Sequence, residues 1–171
     1  MALRQILTEP NKILREKSLK VNQVDEDLQK LMDDMLETLY AAPGIGLAAI
    51  QIGVPKRVIV LDISWRDKSE STNDEKQEER KNPMYFVNPE IITKSTNIST
   101  YEEGCLSVPG QFAEINRPDK CHIKYLDYYG QPKELVAEGM LATCIQHEMD
   151  HLEGILFIDY LSKLKKSMIV K

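Results

Sequence analysis

Residues 139–154 read GMLATCIQHEMDHLEG, and this stretch decides the architecture. Leu141, Cys144, Ile145, Met149 and Leu152 recur at helical spacing, and Gly154 stands where a C-cap glycine belongs. Residues 139–153 are therefore expected to form a helix with one apolar side. His147-Glu148-Met149-Asp150-His151 lies inside it. At 3.6 residues per turn, positions i and i+4 share a face, so both imidazoles can reach one cation. Glu148 stands beside them as the proton acceptor that metal-assisted hydrolysis needs. The alternative is a buried helix carrying two hydrogen-bonded histidines. The helical context, with two of the chain's three histidines in the motif, weighs against it.

A third ligand has to come from somewhere. Cys144 lies three residues before His147, but it is seven residues from His151, about 10.5 Å along a straight helix. It reads better as a small apolar residue of the inner face. Cys121 and His122 sit in a strand pattern and read as packing or surface. Cys105, in Glu102-Glu103-Gly104-Cys105-Leu106-Ser107, follows a glycine at a strand end, where another backbone can come close. Spacing alone leaves it open as the ligand. One thiolate and two imidazoles would leave a coordination position free, as catalytic sites do and four-ligand structural sites do not. Such a set suits Zn(II), Fe(II), Co(II) or Ni(II).

Upstream, Asp25 is a candidate N-cap. Leu28, Leu31, Met32, Met35, Leu36 and Leu39 predict an amphipathic helix over 25–41, ended by Ala42-Pro43-Gly44. A short helical turn is expected around 12–15. Strands are expected at 57–63, 85–87, 90–94 and 98–102, and a hairpin joins 121–128 to 133–138 through Tyr129-Gly130-Gln131-Pro132. The order helix, antiparallel strands, helix makes the chain α+β: antiparallel sheets around a central metal-binding H-E-x-x-H helix. Its 171 residues fit a single catalytic domain, 1–171, able to bury a sizeable core. Residues 66–81, RDKSESTNDEKQEERK, are nearly all polar and read as a solvated loop.

The net charge of −5, from 22 basic and 27 acidic residues, argues against a partner such as DNA, whose phosphates need a basic face. Lys163, Lys165 and Lys166 read as a solvated helix end. No apolar run approaches the ~18 residues of a membrane span. The N-terminus lacks the charged-then-apolar pattern of a signal peptide, so a cytoplasmic location is expected. An odd number of cysteines, three, makes disulfides a poor default there.

Gly44-Ile45-Gly46-Leu47-Ala48-Ala49-Ile50-Gln51 follows the first helix. No Lys-Ser/Thr follows the glycines, so this is not a phosphate loop. On its own it reads as a turn leading into an apolar packing segment. Gln51 offers an amide donor that could hold an oxyanion, an effect of about 3 kcal/mol when preorganised.

Taken together, GIGLAAIQ (44–51), EGCLS (103–107) and QHEMDH (146–151) resemble, in order and composition, the three signature motifs of peptide deformylases. The resemblance runs from the N-terminus to about Lys166. It implies removal of the formyl group from N-formylmethionyl nascent peptides, with the ribosome surface as a second candidate partner. It implies one divalent metal per chain, Fe(II) expected, with Zn(II), Ni(II) or Co(II) able to replace it. Cys105, His147 and His151 would be the ligands and Glu148 the general acid/base. The Gln51 amide and the Leu106 backbone N–H would stabilise the oxyanion. The Gly46 backbone would pair with the substrate, and Ile45 and Cys144 would line the methionine pocket. The chain departs from the pattern at Val108-Pro109-Gly110-Gln111-Phe112, where many relatives carry a Glu and an Arg near 110 and 112. An arginine contact to the substrate backbone is therefore not implied. The 66–81 stretch is longer, and the C-terminal helix shorter, than in many relatives.

Two other readings remain. A zinc protease of the H-E-x-x-H type would take a downstream ligand, for which Glu153 is the near candidate. A structural-metal module would need a fourth ligand, Cys144 or Asp150.

Overall fold

A computed structural model describes residues 2–65 and 80–169. The charged stretch 66–81, read above as a solvated loop, lies outside the described residues except for Arg80 and Lys81.

The first helix, α1 (Glu26–Ala41), begins where the sequence places it. The Asp25 side chain accepts the Leu28 N–H at 2.9 Å, satisfying one of the otherwise orphaned donors of the first turn. Seven strands follow among the described residues: β1 (Gly46–Ala48), β2 (Val58–Leu61), β3 (Met84–Lys94), β4 (Ile98–Cys105), β5 (Val108–Pro118), β6 (Lys120–Leu126) and β7 (Pro132–Glu138). The second helix, α2 (Gly139–Leu152), carries the histidine motif, and a short α3 (Lys163–Ile169) follows. Strands β1, β2, β3, β6 and β7 form one sheet in that order, antiparallel throughout; β4 and β5 form a separate two-stranded ribbon.

Strand β2 shows why the helices sit on opposite faces of the sheet. Val58 and Val60 join the cluster of Leu28, Met32, Met35 and Leu39 from α1. Ile59 and Leu61 point the other way and join Ala142, Ile145, Met149 and Leu152 from α2. Alternation sends successive side chains to opposite faces, and each fully buried side chain of this size contributes roughly 1.5–3 kcal/mol. Strand β1 follows the same rule: Leu47 faces α1, while Gly46 and Ala48 face α2. The ribbon has its own small core, in which Val108 and Ile115 pack on Leu156, Phe157 and Ile158 just beyond α2.

The structure departs from the sequence reading in three places. The segments expected at 85–87 and 90–94 are one strand. Asn88 takes φ +51 and the ladder with β6 shifts register after Val87, so Asn88-Pro89 bends the strand instead of ending it. Strand β5 occupies residues 108–118, a stretch to which the sequence reading assigns no element. β1, expected as a turn and packing segment, is the three-residue edge of the main sheet. At the C-terminus Lys163 and Lys165 are exposed as expected, whereas Lys166 reaches Asp159 at 2.9 Å.

Candidate active site

Helix α2 sits with its apolar side on the sheet and its motif facing the ribbon. Gly154, at φ +76, lets the chain turn directly after the helix. Cys105 ends β4, and its Sγ lies 3.3 Å from His151 Nε2. One ligand-type atom from each of Cys105, His147 and His151 falls within 4.8 Å of the others, close enough for one ion to bridge all three. The donor set fits a metal on a second count. Glu148 Oε1, 4.0 Å from His151 Nε2, is buried without a hydrogen-bond partner, an arrangement that is costly unless something else occupies the site.

His147 is oriented from behind. Its Nδ1 lies 2.9 Å from Glu103 Oε1, so Nδ1 carries the proton and donates it, leaving the Nε2 lone pair for a ligand role. Glu103 in turn is gripped by Arg117, with Nε–H donating to Oε2 at 2.6 Å and a second N–H donating to Oε1 at 3.0 Å. The same guanidinium donates to Asp150 Oδ2 at 2.8 Å, and the Tyr160 hydroxyl donates to that oxygen at 2.7 Å. Burial opposes ionisation of Glu103, but His147 and Arg117 outweigh it and hold the carboxyl below its usual range. Burial likewise opposes charge on Arg117, and Glu103 and Asp150 hold its pKa above the ordinary value. Sequence reasoning missed this chain. Glu103 was visible only as a motif residue, and Arg117 pairs with it across the ribbon, which requires the register of β4 on β5.

Gln51 lies in a 3₁₀ turn directly after β1. Its Oε1 accepts the Ala48 N–H at 2.9 Å, so Nε2 points the other way, to Ser107 Oγ at 3.0 Å and Cys105 Sγ at 3.5 Å. The Ser107 N–H also donates to Cys105 Sγ, at 3.4 Å. Two N–H donors thus converge on one sulfur. Ser107 was not singled out by sequence either. Glu148 is 5% exposed, and burial pushes its carboxyl up to about 7, against the opposing pull of His147. It packs so closely on β1 that a Cβ at Gly46 would fall 2.5 Å from its Oε2.

These groups open on a cleft of about 560 Å³, whose walls include Ile45, Gly46, Leu106 and Cys144. Burial pushes the Cys144 thiol up to about 12, so it presents a neutral, apolar wall. Phe112 is exposed at the rim, with its ring over Gly104. Cys121 is buried in the sheet core, and His122 lies at the surface 3.7 Å from Glu134.

The fourth ligand that a structural-metal module needs is not assembled. Asp150 is committed to Arg117 and Tyr160, and Cys144 stands outside the cluster found among the described residues. Glu153, the ligand a protease reading requires, pairs instead with Arg57 at 3.0 Å, near the surface.

A family model for polypeptide deformylase matches residues 3–167. The chain belongs to the polypeptide deformylase family. It is 63% identical over 171 residues to the peptide deformylase of Pelagibacter ubique, covering all of this chain and 93% of that protein. It is 59% identical to that of Maricaulis maris, over all of this chain and 92% of the relative. The crystal structure of peptide deformylase from Ehrlichia chaffeensis superimposes with a TM-score of 0.89 at 40% identity, covering 99% of this chain and 93% of that one. A second structure from the same organism, in complex with actinonin, gives 0.88 at 41%, covering 99% and 95%. The family's reaction is hydrolysis of the N-terminal formyl group of nascent polypeptides, and this chain is accordingly a hydrolase of that class. No helix among the described residues is long and apolar enough to cross a membrane.

Proposed function

We propose that Cys105, His147 and His151 hold one divalent metal, with Glu148 moving the proton during deformylation of N-formylmethionyl nascent chains. The observation that carries this reading is the convergence of one thiol and two imidazoles within 4.8 Å, beside a buried carboxylate oxygen that has no other partner. Fe(II) is the metal we assign from the family resemblance, and Zn(II), Ni(II) or Co(II) can take its place because a mixed thiolate and imidazole set suits all four. An ion held there supplies Lewis acidity toward a carbonyl oxygen and acidifies water.

The chain's own residues do the rest. A carboxyl raised to about 7 is poised to take a proton and return it, so Glu148 accepts a proton from the attacking water and delivers it to the leaving amine. The Gln51 amide, aimed at the thiol by the Ala48 N–H on its far side, is a donor for the charge that develops on the formyl oxygen. The Leu106 backbone N–H, on the cleft wall, is the second donor. The edge position of β1 leaves the Gly46 backbone free to pair with an extended substrate. Ile45 and the neutral Cys144 offer the apolar surface a methionine side chain requires. The cytoplasm, where nascent chains emerge, is the location this reading assigns, and residues 1–171 act as one catalytic domain.

The test is formate release from a short N-formylmethionyl peptide by protein loaded anaerobically with Fe(II) or Ni(II). Wild type is expected to release formate, and Glu148→Ala to lose about 10²–10⁴-fold in rate while keeping its metal. A Glu148→Ala protein that retains wild-type turnover would remove Glu148 from the chemistry.

A further inference from the structure

Three segments carry the site, and one stretch of chain is bonded to all of them. The Leu7 N–H donates to the Gln51 carbonyl at 2.7 Å, and the Glu9 N–H donates to the Ser107 carbonyl at 2.8 Å. Further along, the Ser18 N–H donates to the Leu152 carbonyl at 2.8 Å, next to His151, and an Arg15 N–H donates to the Gly154 carbonyl at 3.3 Å. The Arg15 carbonyl also packs directly on Gly154, leaving no room for a Cβ there. Residues 7 and 9 bond as alternate residues of an extended strand do. Thr8 between them is exposed, and its N–H bonds to neither segment.

We infer that the N-terminal strap, residues 7–18, is a positioning element of the active site, and that its Leu7 and Glu9 amides fix Gln51 and Ser107 against Cys105. The inference rests on the role proposed above for Gln51. Gln51 sits in a short 3₁₀ turn and Ser107 in the tight link between β4 and β5, so neither is held by a long element of its own. Across a gap of 56 residues they meet through one side-chain bond of 3.0 Å, and both approach the Cys105 sulfur, at 3.5 and 3.4 Å. Pinning each backbone carbonyl from outside removes the freedom that would let that pair drift. No strap residue lines the cleft, so the strap acts only through the residues it holds.

Proline deletes one N–H at a time. Leu7→Pro and Glu9→Pro each remove a staple, while Thr8→Pro removes an uncommitted N–H and serves as the control. Each full-length protein is loaded with Co(II) and assayed on the formylated peptide, and its thiolate-to-cobalt charge-transfer band is recorded. Leu7→Pro and Glu9→Pro are expected to lose about ten- to a hundredfold in kcat with KM within about twofold, to keep one metal, and to shift the band. Thr8→Pro is expected to match wild type in both. Unchanged kcat and spectrum in the two stapled variants, or equal losses in Thr8→Pro, would overturn the inference. If wild type itself releases no formate, the functional reading fails, and the band shift still tests the strap. Hydrogen exchange on the metal-loaded wild type tests it without any variant. The Leu7 and Glu9 amides are expected to exchange as slowly as sheet amides, and exchange as fast as at Thr8 would overturn it.

Discussion

Replacing Gly46 with alanine tests the packing of Glu148, the residue proposed to move the proton, more sharply than any charge change. Gly46 lies in β1 without a positive φ, so the backbone accepts alanine and only space is at issue. The new methyl would sit 2.5 Å from Glu148 Oε2, 3.1 Å from its Cδ and 2.7 Å from Leu61 Cδ2. Ordinary carbon contacts begin near ~3.5 Å, so about 1 Å must be found. Leu61 is fully buried and closes one direction. Either Glu148 swings away or β1 moves off α2, and both displace the proton acceptor relative to Cys105 and the histidines. A misplacement of about 1 Å costs on the order of 10²-fold in rate, and overpacking of this kind costs about 1–3 kcal/mol in stability. The matched control is Gly130→Ala, at φ +81 in the β6–β7 turn and away from the cleft, which should lose stability with its rate intact. Formate release and urea unfolding are measured on both metal-loaded proteins. Wild-type kcat in Gly46→Ala would refute the claim that Glu148 is held in place by contact with β1.

Further outcomes follow from the buried charges. Arg117→Met leaves Glu103 and Asp150 facing an apolar side chain, and should cost roughly 3–5 kcal/mol in urea unfolding. Because Glu103 orients His147, the same variant should weaken metal binding by about 10–100-fold in equilibrium dialysis. Burial opposes charge on His147, but its hydrogen bonds to Cys105 and Glu103 outweigh this and hold its pKa well above the ordinary value. A ligand must be neutral, so metal competes with that proton. Apparent Zn(II) affinity should therefore rise with pH and calorimetry should detect proton release; a pH-independent affinity would contradict this. Cys144, its thiol pushed up to about 12, should resist alkylation near pH 8 in the metal-free protein while the half-exposed Cys105 reacts, as peptide mapping would show.

The two long helices were legible because their information is local. Asp25 and the leucine spacing define α1, and Gly154 with the histidine pair defines α2. Strand β1 was not legible. Three residues carry no alternation, and Gly46 is there for what it lets approach. Strand β5 was hidden because Val108-Pro109-Gly110 reads as a turn and because one of its buried positions is Arg117, whose partner Glu103 lies on another strand. Asn88-Pro89 looked like a break and is a bend within β3. The candidate site divides the same way. His147, Glu148 and His151 follow from helical spacing, whereas Cys105 needed the family resemblance. The bonds from Glu103, Ser107 and the strap join residues far apart in sequence, and no window of the chain contains both ends.

Metal stoichiometry in single-ligand variants tests the central claim most directly. Wild type and Glu148→Ala, dialysed against Co(II) under anaerobic conditions, should each retain one equivalent and show a thiolate-to-cobalt charge-transfer band. Cys105→Ala should lose the band and nearly all the metal, and His147→Ala and His151→Ala should lose the metal as well. A Cys105→Ala protein that keeps a full equivalent at wild-type affinity would contradict the three-residue site on which the account rests.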